Sequence, residues 1–188
     1  MPWSPEHKQQ TRDKILQSAA HLFTHNGFNK VSINQVMERA GLTRGAFYKH
    51  FNSKKELYSE AVVYGARRMT RDRLDREPDL DRILDLYLSK EHVNSVADAC
   101  PLAFLVSDIA LRDEESRQGY QQVLKGFIKR LAQSTGKDME TATIASILMV
   151  GGVALARAVD SPELIEQILN TAKAESKRQL LKAEDVVN

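Results

Sequence analysis

Two capping signatures bracket one short stretch of this chain and leave it little choice of fold. Ser32-Ile33-Asn34-Gln35 and Ser53-Lys54-Lys55-Glu56 both have the S-x-x-[QE] form, in which a hydroxyl and an N3 side chain satisfy the free N–H groups of a helix start. Between them Ala40-Gly41-Leu42 reads as a tight turn, so the second helix is short, with Val36 and Met37 inward. Thr43 stands at the N-cap of a third helix, expected over 44–50, and Phe51-Asn52 breaks it. Two short helices joined by a glycine turn have the spacing of a helix-turn-helix, whose second helix enters the DNA major groove.

The flanking sequence extends this all-α pattern. Apolar residues recur at helical spacing along most of the 188 residues, and only 5 prolines and 9 glycines interrupt them. A first helix is expected over 8–25, closed by Asn26-Gly27, and a fourth from Ser53 to about Arg73. A fifth starts at Pro78-Asp79 with the stripe Leu80, Ile83, Leu84, Tyr87 and Leu88. The segment 91–99 reads as a loop. Helices six to nine are expected over 101–112, 114–134, 138–159 and 162–182, nine in all.

Charge narrows the partner. Residues 1–70 hold eleven Lys/Arg against five Asp/Glu, whereas 71–188 hold sixteen against twenty. A basic first third on a mildly acidic body points to an anionic partner for that third. The third helix is equipped for DNA. Arg44 suits guanine O6/N7, with Lys49 beside it; Thr43, Tyr48 and His50 suit phosphate and sugar. Gly45 permits close backbone approach, Ala46, Phe47 and Phe51 pack inward, and Lys54 with the free N–H groups of helix four suits a phosphate. Ser32, Thr43, Arg44, Gly45, Phe47, Tyr48, Lys49, His50 and Lys54 are therefore the candidate DNA-binding residues.

The run from Thr11 to Ala61 resembles the DNA-binding domain of tetracycline-repressor (TetR/AcrR) type regulators. The resemblance rests on LF-x3-GF, S-I-x2-V, the AG-L turn, and G-x-F-Y-x-H-F followed by S-K-x-x-L. It implies a DNA-binding domain over 1–52 and a ligand-binding and dimerisation domain over 53–188, with helix four as the link. It also implies a homodimer through helices eight and nine on a near-palindromic double-stranded operator, from which a small-molecule effector releases it. Ile144, Ile147, Leu148, Gly151, Ala154 and Leu155 make helix eight apolar and small-sided, as a helix-pair interface requires; an ordinary core helix would look the same.

Other classes find less support. No Ser/His/Asp set, carboxylate pair, phosphate loop or metal cluster marks an enzyme, and no cofactor is expected. His21 and His25 stand at i, i+4 without a third ligand and read as a solvated face. There is no signal-peptide pattern, and 139–159 carries Glu140 and Arg157, so no membrane partner and a cytoplasmic location are expected. Cys100, the single cysteine, would sit at the start of helix six, where a helix dipole favours thiolate, which opens the alternative of a redox or electrophile sensor. A ligand-independent regulator is a further alternative. Tyr64, Tyr87, Cys100, Phe104, Tyr120, Phe127 and Met149 are the candidate ligand-pocket residues, although the same aromatics would equally form a core.

Overall fold

A computed structural model describes residues 5–69, 79–95 and 99–181. Eleven helices and no strand occur among them: α1 (Pro5–Lys30), α2 (Ile33–Arg39), α3 (Arg44–Phe47), α4 (Lys54–Met69), α5 (Leu80–Tyr87), α6 (Lys90–Val93), α7 (Pro101–Phe104), α8 (Val106–Ala110), α9 (Glu114–Thr135), α10 (Met139–Ala156) and α11 (Pro162–Leu181). The expected fourth helix beyond Met69, the Pro78 start of the fifth and the end of the ninth at Lys182 lie outside the described residues.

The excess over nine has local causes. The expected loop 91–99, of which 96–98 lie outside the described residues, begins within α6, a single turn whose start is capped by Ser89 Oγ accepting from His92 N at 3.0 Å. One turn carries too few residues to show periodicity. The expected helix 101–112 is broken at Leu105, where φ −110° and ψ 2° leave the helical region and the fully buried side chain holds the bend. The first helix does break near its expected end: Gly27 takes φ 72° and ψ 175°, a conformation open only to glycine, before one further turn to Lys30. The third helix stops at Phe47 rather than His50, and residues 48–50 continue as turns.

By their contacts the described residues fall into two units, one drawn from 1–70 and 96–123, the other from 71–95 and 124–188. The first has an aromatic core of Phe23, Phe47, Phe51 and Tyr58, packed with Ile15, Val36, Met37, Leu57, Leu105 and Ile109. Phe23 meets Tyr58 edge-on at 5.0 Å, and Phe28 does so at 5.2 Å. α7 and α8 belong to this unit, although they follow helix four in sequence. Asp108 of α8 accepts from Tyr58 Oη at 2.7 Å and from Phe28 N at 3.2 Å, which ties α8 to α4 and to the end of α1.

The second unit is built on α10 against α11, with α5 and α6 added. Its buried face carries Ala142, Ala145, Ser146, Met149, Gly152, Val153 and Ala156 on α10, and Leu169, Ala172, Ser176 and Leu180 on α11. Small side chains bring the axes close: a Cβ at Gly152 would lie 2.8 Å from that of Ala172. α10 is long and apolar enough to cross a membrane by composition, but this face of it is buried in the unit.

Candidate nucleic-acid interface

The site begins with the turn. α2 starts at the expected capping box: Ser32 Oγ accepts from Gln35 N at 3.2 Å, and Gln35 Oε1 accepts from Ser32 N at 2.7 Å. It ends in a Schellman motif, with Gly41 N donating to Glu38 O and Leu42 N to Met37 O. That motif requires a left-handed residue, which Gly41 supplies at φ 68°. The chain then turns directly into α3. Thr43 is its N-cap, but its hydroxyl makes no capping bond, contrary to expectation, and stays available to an outside partner.

One turn of helix separates the buried from the presented side chains. Phe47 is 0% exposed, stacked on Phe51 at 5.8 Å, and so cannot touch DNA as its place among the candidates implied. Its role is to hold Tyr48, which meets it edge-on at 5.1 Å and is itself 58% exposed. Thr43, Arg44, Gly45 and Lys49 are exposed beside Tyr48, and Ser32 is exposed at the start of α2. His50 is half-buried. Burial first, then Lys8, Arg12 and Lys49, hold its imidazole below the usual pKa.

α4 carries the second capping signature in altered form. Ser53 Oγ accepts from Glu56 N at 3.0 Å, but the Glu56 carboxylate turns to Asn52 N at 2.7 Å. The Lys54 ammonium lies 4.1 Å from the centre of the Phe28 ring; burial, then Arg112, lower its pKa, while Asp108 opposes the shift. Sequence reasoning missed Lys8 and Arg12. Arg12 lies 4.8 Å over Phe51, pairs with Glu60 of α4, and adds to the positive field at His50. It missed Asp108 as well, because its partners lie 50 and 80 residues away.

The candidate pocket residues divide between the two units. Tyr64, Cys100, Phe104 and Tyr120 lie in the first unit; Tyr87, Phe127 and Met149 lie in the second. Tyr64 lines a groove of about 430 Å³ beside Arg12, Glu60 and Gln118. Tyr120 donates to Leu102 O at 2.7 Å, and burial, then the nearby Cys100, push its phenol up to about 12. Cys100 is the N-cap of α7, as expected, but it is buried and α7 is one turn long, so its dipole is small. Phe104 packs on His25 at 5.9 Å, Tyr87 packs on Phe127 at 5.4 Å, and Met149 is fully buried.

Known proteins share this arrangement. Residues 15–61 match the bacterial regulatory proteins of the tetR family. That segment is a DNA-binding domain of the tetR type. An uncharacterized HTH-type transcriptional regulator of Bacillus subtilis, YxaF, is 27% identical over 161 residues, spanning 77% of this chain and 84% of that protein. The transcriptional regulator AcrR of Shigella flexneri is 44% identical over 52 residues, 28% of this chain and 24% of its own length. The crystal structure of reduced NemR of E. coli superposes with a TM-score of 0.73 at 19% identity, covering 90% of this chain and 96% of that one, which shows a common fold. The protein is therefore a DNA-binding transcriptional regulator of the helix-turn-helix class, in a family of regulators and not of enzymes.

Proposed function

We propose that the protein is a repressor that holds a near-palindromic operator as a homodimer and is released by a small-molecule effector. The observation that carries this reading is the contrast, across α3 and its flanks, between a fully buried Phe47 and an exposed row of Thr43, Arg44, Gly45, Tyr48 and Lys49. Arg44 reads a guanine, with Lys49 beside it. Thr43, Tyr48, His50 and Ser32 hold phosphates and sugars, and Lys54 adds charge at the start of α4. Lys8, Arg12 and Lys49 disfavour a charged imidazole at His50, and a phosphate placed beside it would favour one.

Dimerisation through α10 and α11, the expected helices eight and nine, is supported by the α10 face that the chain leaves uncovered. Ile144, Ile147 and Leu155 are exposed, Ile147 by 65% and Leu155 by 61%, with Gly151 half-exposed between them. These lie opposite the face buried within the second unit. A two-fold copy of the same stripe would cover them and set two recognition helices about one DNA turn apart. The regulator would then act on the chromosome in the cytoplasm.

Fluorescence anisotropy against the DNA upstream of its own gene tests the reading. Tight binding over scrambled DNA, weakened by about 1–3 kcal/mol in Arg44→Ala, is expected. Sedimentation of Ile147→Asp should give monomers with weakened operator binding. Equal, salt-sensitive binding of operator and scrambled DNA by wild type and Arg44→Ala would refute sequence-specific recognition.

A further inference from the structure

The start of α4 is braced by a stretch that follows it far along the chain. Lys55 Nζ lies 3.7 Å from Asp113 Oδ2, Tyr58 Oη donates to Asp108 Oδ2 at 2.7 Å, and Ser59 Oγ donates to Glu115 O at 3.2 Å. A Cβ at Gly119 would stand 2.7 Å from Ser59 Oγ, so α9 and α4 meet there without room for a side chain. All of these residues belong to the first unit, and those of α8 and α9 lie outside the tetR-type segment.

Within this stretch Arg112, just after α8, bears on a candidate DNA contact. Its guanidinium is pinned: Nε donates to Asp108 O at 3.0 Å, Nη1 donates to Asn29 Oδ1 at 3.1 Å, and Nη2 lies 3.6 Å from Asp108 Oδ1. The side chain is only 11% exposed, too enclosed to grip a phosphate itself. Its Cζ stands 5.1 Å from the centre of the Phe28 ring, and Lys54 Nζ stands 4.1 Å from the same centre. Two cations thus share one ring beside one carboxylate. Burial, then Arg112, disfavour the charged ammonium at Lys54, while Asp108 favours it.

Access to Asp108 decides where that ammonium goes. Oδ2 already accepts from Tyr58 Oη and Phe28 N, and Arg112 stands at Oδ1. We propose that Arg112 is a positioning residue for DNA binding: by holding Asp108 it keeps the Lys54 ammonium on the Phe28 ring, at the start of α4, for a DNA phosphate. Without the guanidinium, Lys54 on its flexible stem swings to Oδ1 and is neutralised inside the protein. An ammonium on a partly exposed ring leaves it readily for a phosphate, whereas a carboxylate pair is the stronger contact and retains it. The role in DNA binding rests on the reading that Lys54 meets a phosphate; the placement of the ammonium does not.

The experiment uses the full-length protein and two readouts. Without DNA, NMR follows the Lys54 side-chain methylenes, which the Phe28 ring current shifts upfield. Arg112→Gln should lose that shift and raise the Lys54 pKa, and Arg112→Lys should keep both. With DNA, anisotropy is read against salt on the upstream fragment and on a scrambled duplex. Lys54→Gln and Arg112→Gln should each lower the slope of log Kd against log salt by about one. Each should also weaken binding about fivefold to tenfold at about 0.1 M salt, alike on both DNAs because a phosphate carries no sequence. The double variant should lose no more than either, and Arg112→Gln/Asp108→Asn should regain the slope, since no carboxylate then draws Lys54 away. An unmoved Lys54 resonance, an intact slope in Arg112→Gln, or no recovery with Asp108→Asn would overturn the proposal. Additive losses with Lys54→Gln would make Arg112 a phosphate contact in its own right and overturn it too. An intact slope in Lys54→Gln would refute the phosphate reading of Lys54 itself, and the ring-current shift, measured without DNA, tells the two failures apart.

Discussion

The two units reach stability by different routes. In the first, large aromatic side chains interlock and polar groups are fixed one by one: a capping box at Ser32, a Schellman turn at Gly41, an Asp108 carboxylate shared by Tyr58 and Phe28. In the second, alanine, glycine and serine let α10 and α11 lie close, and three exposed pairs, Lys90–Glu166, Lys173–Asp85 and Lys177–Asp81, line the outside. The first solution depends on particular residues at particular positions. The second needs only small side chains at helical spacing, which many sequences supply. A family signature therefore accumulates in the first unit, where Thr11 to Ala61 already resembles TetR-type regulators.

The sharpest way to break this contrast is to remove an aromatic from the first core. Phe47→Ala empties a site with no exposure and withdraws the support of Phe51 and Tyr48. It should cost about 3–5 kcal/mol in denaturant unfolding and abolish operator binding. A loss below about 1 kcal/mol would mean that this core tolerates substitution as generic packing does.

Asp108→Ala comes next. It leaves the fully buried Tyr58 without its acceptor and frees Phe28 N, for an expected loss of about 1.5–3 kcal/mol. Asp108→Asn should recover part of that loss, because the amide oxygen still accepts. A double cycle with Tyr58→Phe isolates the pair. If the two losses simply add, the network of the first unit is less specific than its geometry suggests.

What the sequence disclosed follows the same division. Helix starts at Ser32 and Ser53 and breaks at Gly27 and Gly41 were legible because the cause sits within three or four residues of the effect. The recognition helix was legible as exposed chemistry, except that Phe47 was grouped with the residues it supports. Asp108 was not legible, since its partners are far off in sequence. The break at Leu105 depends on burial that no local pattern reveals. Aromatics such as Tyr64, Tyr87 and Phe127 recur at helical spacing whether they line a cavity or fill a core, so periodicity alone could not sort them, and they fall in both units.

Acid provides a subtler contrast between free and DNA-bound protein. His21 and His50 both lie in the first unit with pKa values held below the ordinary 6.5. Near and below that value the unfolded chain binds more protons than the folded one, so stability falls as pH drops through the ordinary value toward the folded one. The thermal midpoint should therefore decline from about pH 7.5 to about pH 5.5 more steeply in wild type than in His21→Gln/His50→Gln. Operator binding should run the other way, tightening with acid in wild type and less so in His50→Gln, because a phosphate favours the imidazolium. Parallel slopes in wild type and variant would remove His50 from the interface.

The smallest effect belongs to the charged edge of the second unit. Lys173 and Lys177 reach Asp85 and Asp81 at 2.6 and 2.8 Å, but all four side chains are substantially open to water. There the attraction is screened, and holding two long side chains in one geometry offsets most of what remains. Lys173→Gln/Lys177→Gln should shift the thermal midpoint by less than about 1 °C, with no added salt dependence. A shift several times larger, lost in high salt, would show that charge registers α5 against α11. The second unit would then be as residue-specific as the first, and small side chains at helical spacing would not suffice to build it.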